Sequence, residues 1–144
     1  MVSGEEGARA KLFETSVRVR SYELDGFGHL NHAVYFNYFE HARFSALEVG
    51  GFPLGLLRDK GWGIHLAHAE ADYRREAFLG QEIVVTTRVV EARSSSMTLE
   101  HTARAPDNPA VVFAEGKVVV VWVGADRRPM RIPDEVREAL GLEL

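Results

Sequence analysis

Ser21–Arg43 reads S-Y-E-L-D-G-F-G-H-L-N-H-A-V-Y-F-N-Y-F-E-H-A-R, a polar loop that runs straight into an aromatic-rich helical pattern. The loop half, Glu23–His32, holds a carboxylate at Asp25, two glycines and two histidines. Gly26 and Gly28 permit positive φ and a close approach to the backbone. The second half has no Gly or Pro, and Tyr35, Phe39, Ala42, Ala46 and Val49 recur at 3–4 spacing. This predicts a helix that starts near Asn31 or His32, with Asn31 as N-cap, and stops at Gly50-Gly51. Only Asn37, Glu40, His41, Ser45 and Glu48 are clearly polar within it, so the helix is expected to be buried around most of its girth.

Outward from that stretch the pattern changes period. Phe13–Ser21 alternates as a strand with Phe13, Thr15, Val17 and Val19 on one face. Pro53–Lys60 reads as a short second helix ended by Gly61. From Gly63 the chain keeps period two. Strands are expected at Gly63–Arg75, Glu82–Ala92, Met97–Ala105 and Val111–Val123, and a terminal helix at Asp134–Leu140. In Gly63–Arg75, His65, Ala67, Ala69, Ala71 and Tyr73 are expected on one face, a row of small residues against which the bulky helix can pack. His65 and His68 then fall on opposite faces. Residues 1–11 read as a disordered tail and 12–144 as one domain. One long helix followed by an antiparallel meander makes the class α+β, with a curled sheet around a central helix.

Composition removes whole classes of function. The chain has 144 residues, 46% hydrophobic and 26% charged, with a net charge of −4. That balance argues against nucleic acid or an anionic membrane as general partner. The absence of cysteine excludes disulfides, a thiolate zinc site and a cysteine nucleophile. No apolar run approaches the ~20 residues of a membrane span, and the first ten residues do not read as a secretory signal, so the cytoplasm is the expected location. No G-x-S-x-G elbow, dinucleotide fingerprint or Walker loop is present. The six histidines show no metal-ligand spacing, so neither metal nor cofactor is expected.

Asp25 is the leading candidate for chemistry. A carboxylate near unpaired N–H groups at a helix start could act as base or nucleophile beside an oxyanion hole. Asp-Gly is also the signature of an Asx turn, in which the carboxylate only braces its own loop. His29 and His32 suit acid–base work or local capping, and Glu23 suits either a pair with Asp25 or a solvated strand end.

The run from Tyr22 to Arg43 resembles the signature of the hotdog-fold acyl-CoA thioesterases of the 4-hydroxybenzoyl-CoA thioesterase type. The likeness continues through A-E-A-D-Y-R-R-E-A-F-L-G-Q-E-I and R-R-P-M-R-I-P-D-E-V-R-E-A-L, covering about residues 12 to 141. It implies an antiparallel sheet wrapped around the helix that contains Tyr35–Leu47, and homodimers or tetramers with active sites at the subunit interface. It also implies hydrolysis of acyl-CoA to a free acid and CoA. Asp25 matches the catalytic carboxylate, and the backbone N–H near His32 matches the group that polarises the thioester carbonyl. Glu23, Gly28, His29, Asn31 and Tyr35 become accessory or pocket residues, and Arg93, Arg127 and Arg128 become contacts for CoA phosphates. Many bacterial members carry Asp at the position of Glu23 and Tyr-His at Asn31-His32. G-H-L-N-H leans instead toward the G-H-V-N-N form found also in plant acyl-ACP thioesterases, although Phe27 stands where those enzymes have Asn. An acyl-ACP thioesterase, a non-catalytic acyl-CoA binder and a hotdog dehydratase are the alternatives.

Overall fold

The computed structural model describes residues 10–144. The strands are β1 (Phe13–Arg18), β2 (Gly63–Tyr73), β3 (Glu82–Ala92), β4 (Ser96–Arg104) and β5 (Val112–Val123). The helices are α1 (Val34–Val49), α2 (Leu54–Asp59) and α3 (Asp134–Ala139), with a 3-10 turn at Ser21–Glu23. All strand pairs are antiparallel, and the sheet order is β1-β3-β4-β5-β2. The α+β hotdog architecture expected from the sequence is the one observed.

Hydrophobic alternation places the sheet's inner face. Val17 and Val19, Ile83 and Val85, Leu99 and Ala103, and Val118, Val120 and Trp122 are all buried. They meet Tyr35, Tyr38, Phe39, Ala42, Ala46 and Leu47 of α1. Gly116 is the closest point of that packing. A Cβ there would overlap the ring of Phe39, so only glycine lets the helix sit this low on β5. Val49, counted in the buried stripe from spacing alone, is 74% exposed, because it stands two residues, about 200° of helix rotation, from Leu47, which faces the sheet in the same turn.

Two further expectations need correction. Residues 1–9 of the expected tail lie outside the described residues. Ala10 and Lys11, however, are docked: Ala10 is buried, and Lys11 donates from its backbone N to Leu140 O and from Nζ to Ala139 O. In β2 the register shifts between Leu66 and His68, a bulge at Ala67 that reverses the facing of the strand. Ile64 and Leu66 pair with Trp122 and Val120 on the inner face, and beyond the bulge Ala69, Ala71 and Tyr73 take it over. His65 and His68 therefore share the outer face, opposite Val121 and Val119, rather than lying on opposite faces. Among the described residues no group of three or more His, Asp or Glu side chains could hold a metal ion.

β2 is an edge strand, and α1 leans over β1 and β3 rather than over it. Leu66 and Tyr73 of its inner face are consequently about half exposed. No helix among the described residues is long and apolar enough to cross a membrane.

Candidate active site

The loop before α1 is closed by its own backbone. Leu24 and Leu30 form an antiparallel bridge, Asp25 N donates to His29 O at 2.7 Å, and Gly28 takes φ +85° at the tip. Asn31 N donates to Glu23 O and Leu30 N to Ala77 O, so the loop is stitched to the segment between β2 and β3. Within this frame Asp25 Oδ1 accepts N–H groups from Phe27 (2.8 Å) and His29 (3.1 Å). The N–H groups of His29 and Phe27 hold the carboxyl below its usual pKa range, and it is ionised at neutral pH. The Asx turn and a poised carboxylate are here the same object. One oxygen braces the loop, and Oδ2 accepts no hydrogen bond from any described residue.

Asn31 does cap, though not at the first residue of the helix. Its Oδ1 accepts Ala33 N–H at 2.9 Å and its carbonyl accepts Val34 N–H, so a turn precedes α1 and the helix proper begins at Val34. The His32 N–H, by contrast, donates to no described residue, and His32 lines the same cleft as Asp25. A free N–H beside a free carboxylate oxygen is the pairing that acyl transfer needs.

Asp25, His29, His32 and Tyr35 are brought together around this cleft, joined by Tyr73, Arg74, Arg75 and Glu76 from the exit of β2. Tyr73 donates its hydroxyl to His32 O at 2.9 Å and its ring meets Tyr35. His29 Nε2 lies 3.3 Å from Glu76 Oε2, and the ring packs edge-on against Phe78. Burial pushes the Tyr35 hydroxyl up to about 12, so it stays protonated. Arg74 pairs with Glu115, whereas Arg75 makes no ion pair among the described residues.

Glu23 does not pair with Asp25. Its Oε1 accepts the Tyr38 hydroxyl at 2.7 Å and the Arg20 N–H at 2.9 Å, which ties loop, β1 and helix into one unit. Gly28 shapes the turn and Asn31 caps it, so both act on the site through backbone. Arg93, Arg127 and Arg128 are not brought here within one chain. They lie at the other end of the sheet, nine residue steps along β5 from the Tyr73–Ala114 pair, about 30 Å at the usual strand rise. Arg93 is also engaged with Glu91, and its carbonyl accepts Arg137 Nη2. The residues missed from sequence, Tyr73–Glu76, sit at a strand end whose only signal was the density of charge in Y-R-R-E.

A family model for the thioesterase-like superfamily matches residues 19–140. A chloroplastic acyl-acyl carrier protein thioesterase of Arabidopsis thaliana is 29% identical over 129 residues, 89% of this chain and 67% of that protein. The long-chain acyl-CoA thioesterase of Escherichia coli is 24% identical over 128 residues, 88% of this chain and 96% of that enzyme. The crystal structure of a hypothetical protein from Aquifex aeolicus superposes with a TM-score of 0.82 at 30% identity, covering 89% of this chain and 98% of that one.

Proposed function

The chain belongs to the thioesterase-like superfamily and is a thioester hydrolase, and from that premise we propose that it releases a carboxylic acid from an acyl-CoA at Asp25. The observation that carries this reading is the division of labour at Asp25, with Oδ1 fixed by two N–H groups, Oδ2 without a hydrogen bond from a described residue, and the side chain at the cleft. The thioester carbonyl oxygen takes the His32 N–H, which stabilises the negative charge formed as the carbon becomes tetrahedral. Asp25 either attacks that carbon, giving an acyl–aspartyl anhydride that water then hydrolyses, or takes the proton from an attacking water. In both routes the C–S bond breaks and the thiolate leaves to be protonated by solvent. Arg75, which lines the cleft and makes no ion pair among the described residues, is a cation for CoA phosphates. Arg93, Arg127 and Arg128 reach the same substrate only from a second copy of the chain.

A second copy is expected. β2 presents eleven residues of unpaired edge with half-exposed Leu66 and Tyr73 beside the cleft, and such an edge is a template for strand pairing. Light scattering should give a dimer or a tetramer, and a monomer would remove the shared-site reading.

The test is thiol release from a panel of CoA thioesters by wild type and Asp25→Asn. An inert wild type would return the non-catalytic reading, and an undiminished variant would remove Asp25. Label in Asp25 after a single turnover in 18O-water would identify direct attack with water entering at the aspartyl carbon, since a general base takes no oxygen from water. Similarity to the chloroplastic enzyme favours a second reading, the carrier-protein thioester. Comparing one acyl group on CoA and on carrier protein decides between them.

A further inference from the structure

One buried contact ties the loop of Asp25 to α1 from inside the protein. Glu23 stands two residues before Asp25, and its side chain is 11% exposed. Its Oε1 accepts the Tyr38 hydroxyl at 2.7 Å and the Arg20 N–H at 2.9 Å. The exit of β1, the loop and the second turn of α1 thus meet at one carboxylate oxygen. Tyr38 is buried, and a buried phenol needs a partner for its proton. Burial, and then the carboxylate that accepts its hydrogen bond, raise that hydroxyl above its ordinary range, so it stays protonated and donates.

The loop's own bonds explain why this contact bears on Asp25. Asn31 N donates to Glu23 O, Leu24 bridges Leu30, and Asp25 N donates to His29 O. Residues 23–31 are therefore a short two-legged ribbon with Gly28 at its tip. Those bonds fix the shape of the ribbon and leave its tilt against the helix unset. His32, whose N–H is the proposed oxyanion donor, lies just past the Glu23–Asn31 bond, on the helix side. The distance from Asp25 to that donor then depends on how the ribbon sits on α1. The outgoing leg is held by the Asn31 cap and by Leu30 N to Ala77 O. The incoming leg, which carries Asp25, has a single side-chain hydrogen bond to α1 among the described residues, the one from Tyr38 to Glu23.

We propose that Glu23 and Tyr38 are a positioning pair that sets the Asp25 carboxylate against the His32 N–H. The pair rests on the reading of Asp25 as the group that acts on the thioester. Neither side chain lines the cleft, so the pair acts through the loop and not on the substrate. Misplacing a reacting group by about 1 Å costs up to about 10²-fold in rate, so loss of the joint is read in kcat.

Turnover of acetyl-, hexanoyl- or benzoyl-CoA, whichever wild type hydrolyses fastest, tests the pair at temperatures well below the Tm. Tyr38→Phe keeps the ring and removes the donor, and kcat should fall about tenfold with KM within about twofold. Glu23→Leu should match it, whereas Glu23→Gln, whose amide oxygen still accepts, should restore most of the rate. In an Asp25→Asn background Tyr38→Phe should cost nothing further, since the group it places is gone. A lower Tm with kcat intact in Tyr38→Phe would make the pair structural only and overturn the proposal. So would the full loss persisting in the Asp25→Asn background, which would route the effect through the Tyr35 ring that Tyr38 meets edge-on. Should Tyr38→Phe fail to fold, Glu23→Leu against Glu23→Gln decides, and equal kcat in those two has the same force. A wild type inert on all three thioesters, or an undiminished Asp25→Asn, removes the acyl-CoA reading and the pair with it. An active, Asp25-dependent wild type with an undiminished Tyr38→Phe removes the pair alone.

Discussion

Two charged side chains, Asp25 in the loop before α1 and Arg43 within the helix, are each gripped by neutral hydrogen-bonding groups, and they differ in what surrounds the charge. At the N-terminal end Asp25 is held by two backbone N–H groups in a loop open to solvent. Farther along, Arg43 is held by a neutral histidine within the helix–sheet layer. Water screens the first charge, so the loop keeps an ionised group ready for a substrate at little cost to the fold. The second charge is half-buried, so its surroundings must do more to satisfy it. Changes at the first place should therefore alter activity without stability, and changes at the second should alter stability.

The sharpest test of that division is Asp25→Asn. The amide oxygen can still accept the Phe27 and His29 N–H groups, so the loop and the Tm should hold. The anion is lost, and kcat/KM should fall by about 10²–10⁴-fold, the range of a positioned acid–base or nucleophilic group. Loss of Tm together with activity would make Asp25 a brace rather than a catalyst. Because the N–H groups lower its pKa, Asp25 stays ionised below the ordinary carboxylate range. The acid limb of kcat/KM should accordingly lie below that range, and a limb near neutrality would assign the titration to another group.

His101 offers the corresponding test in the core. Unfolded, it takes a proton as pH falls below about 6.5; folded, it resists until about 3. Between those values the unfolded chain binds more protons, so stability declines as pH falls, by at most about 1.4 kcal/mol per pH unit from this group. Urea unfolding at pH 7, 5 and 4 should show that slope, and His101→Gln should reduce it. An unchanged slope would mean that carboxylates dominate. Gly116→Ala probes the same packing without charge. Its methyl would press on Phe39, which stacks on His101, and overpacking of this kind costs about 1–3 kcal/mol. An unshifted midpoint would mean that the helix lifts freely from the sheet.

Most of this architecture was legible in the residues, for reasons that also explain what was not. β3 was expected and observed at Glu82–Ala92, since a run of β-branched residues between turn signals has one reading. Gly50-Gly51 marked the end of α1, with Gly51 at φ +97°. The bulge at Ala67 was invisible because it depends on which residues of β5 stand opposite, and strict alternation then misassigned Leu66 and His65. Asp25 stood out as a candidate because Asp-Gly before an apolar helix is a local pattern. The sequence left Glu23 between a pair with Asp25 and a solvated strand end, because its partners, Tyr38 and Arg20, are set by how loop and helix fold together. Arg43 and His101 are 58 positions apart, and neither shows in sequence that they share a hydrogen bond.

The smallest expected effect falls where the first region depends on the sheet. Tyr73, last residue of β2, donates its hydroxyl to the carbonyl of His32 while its ring touches Tyr35. Tyr73→Phe keeps the ring and removes one hydrogen bond at a half-exposed site, a loss of about 0.5–1.5 kcal/mol at most. If that bond only joins two pieces of structure, kcat/KM should be untouched at temperatures well below the Tm. If it fixes the backbone at His32, whose N–H is proposed to meet the developing oxyanion, kcat should fall several-fold with KM little changed, because orientation matters most in the transition state. The second outcome is expected. The hydroxyl reaches the carbonyl of the residue whose N–H is the proposed oxyanion donor, and a shift there would misalign a group that Asp25 cannot replace.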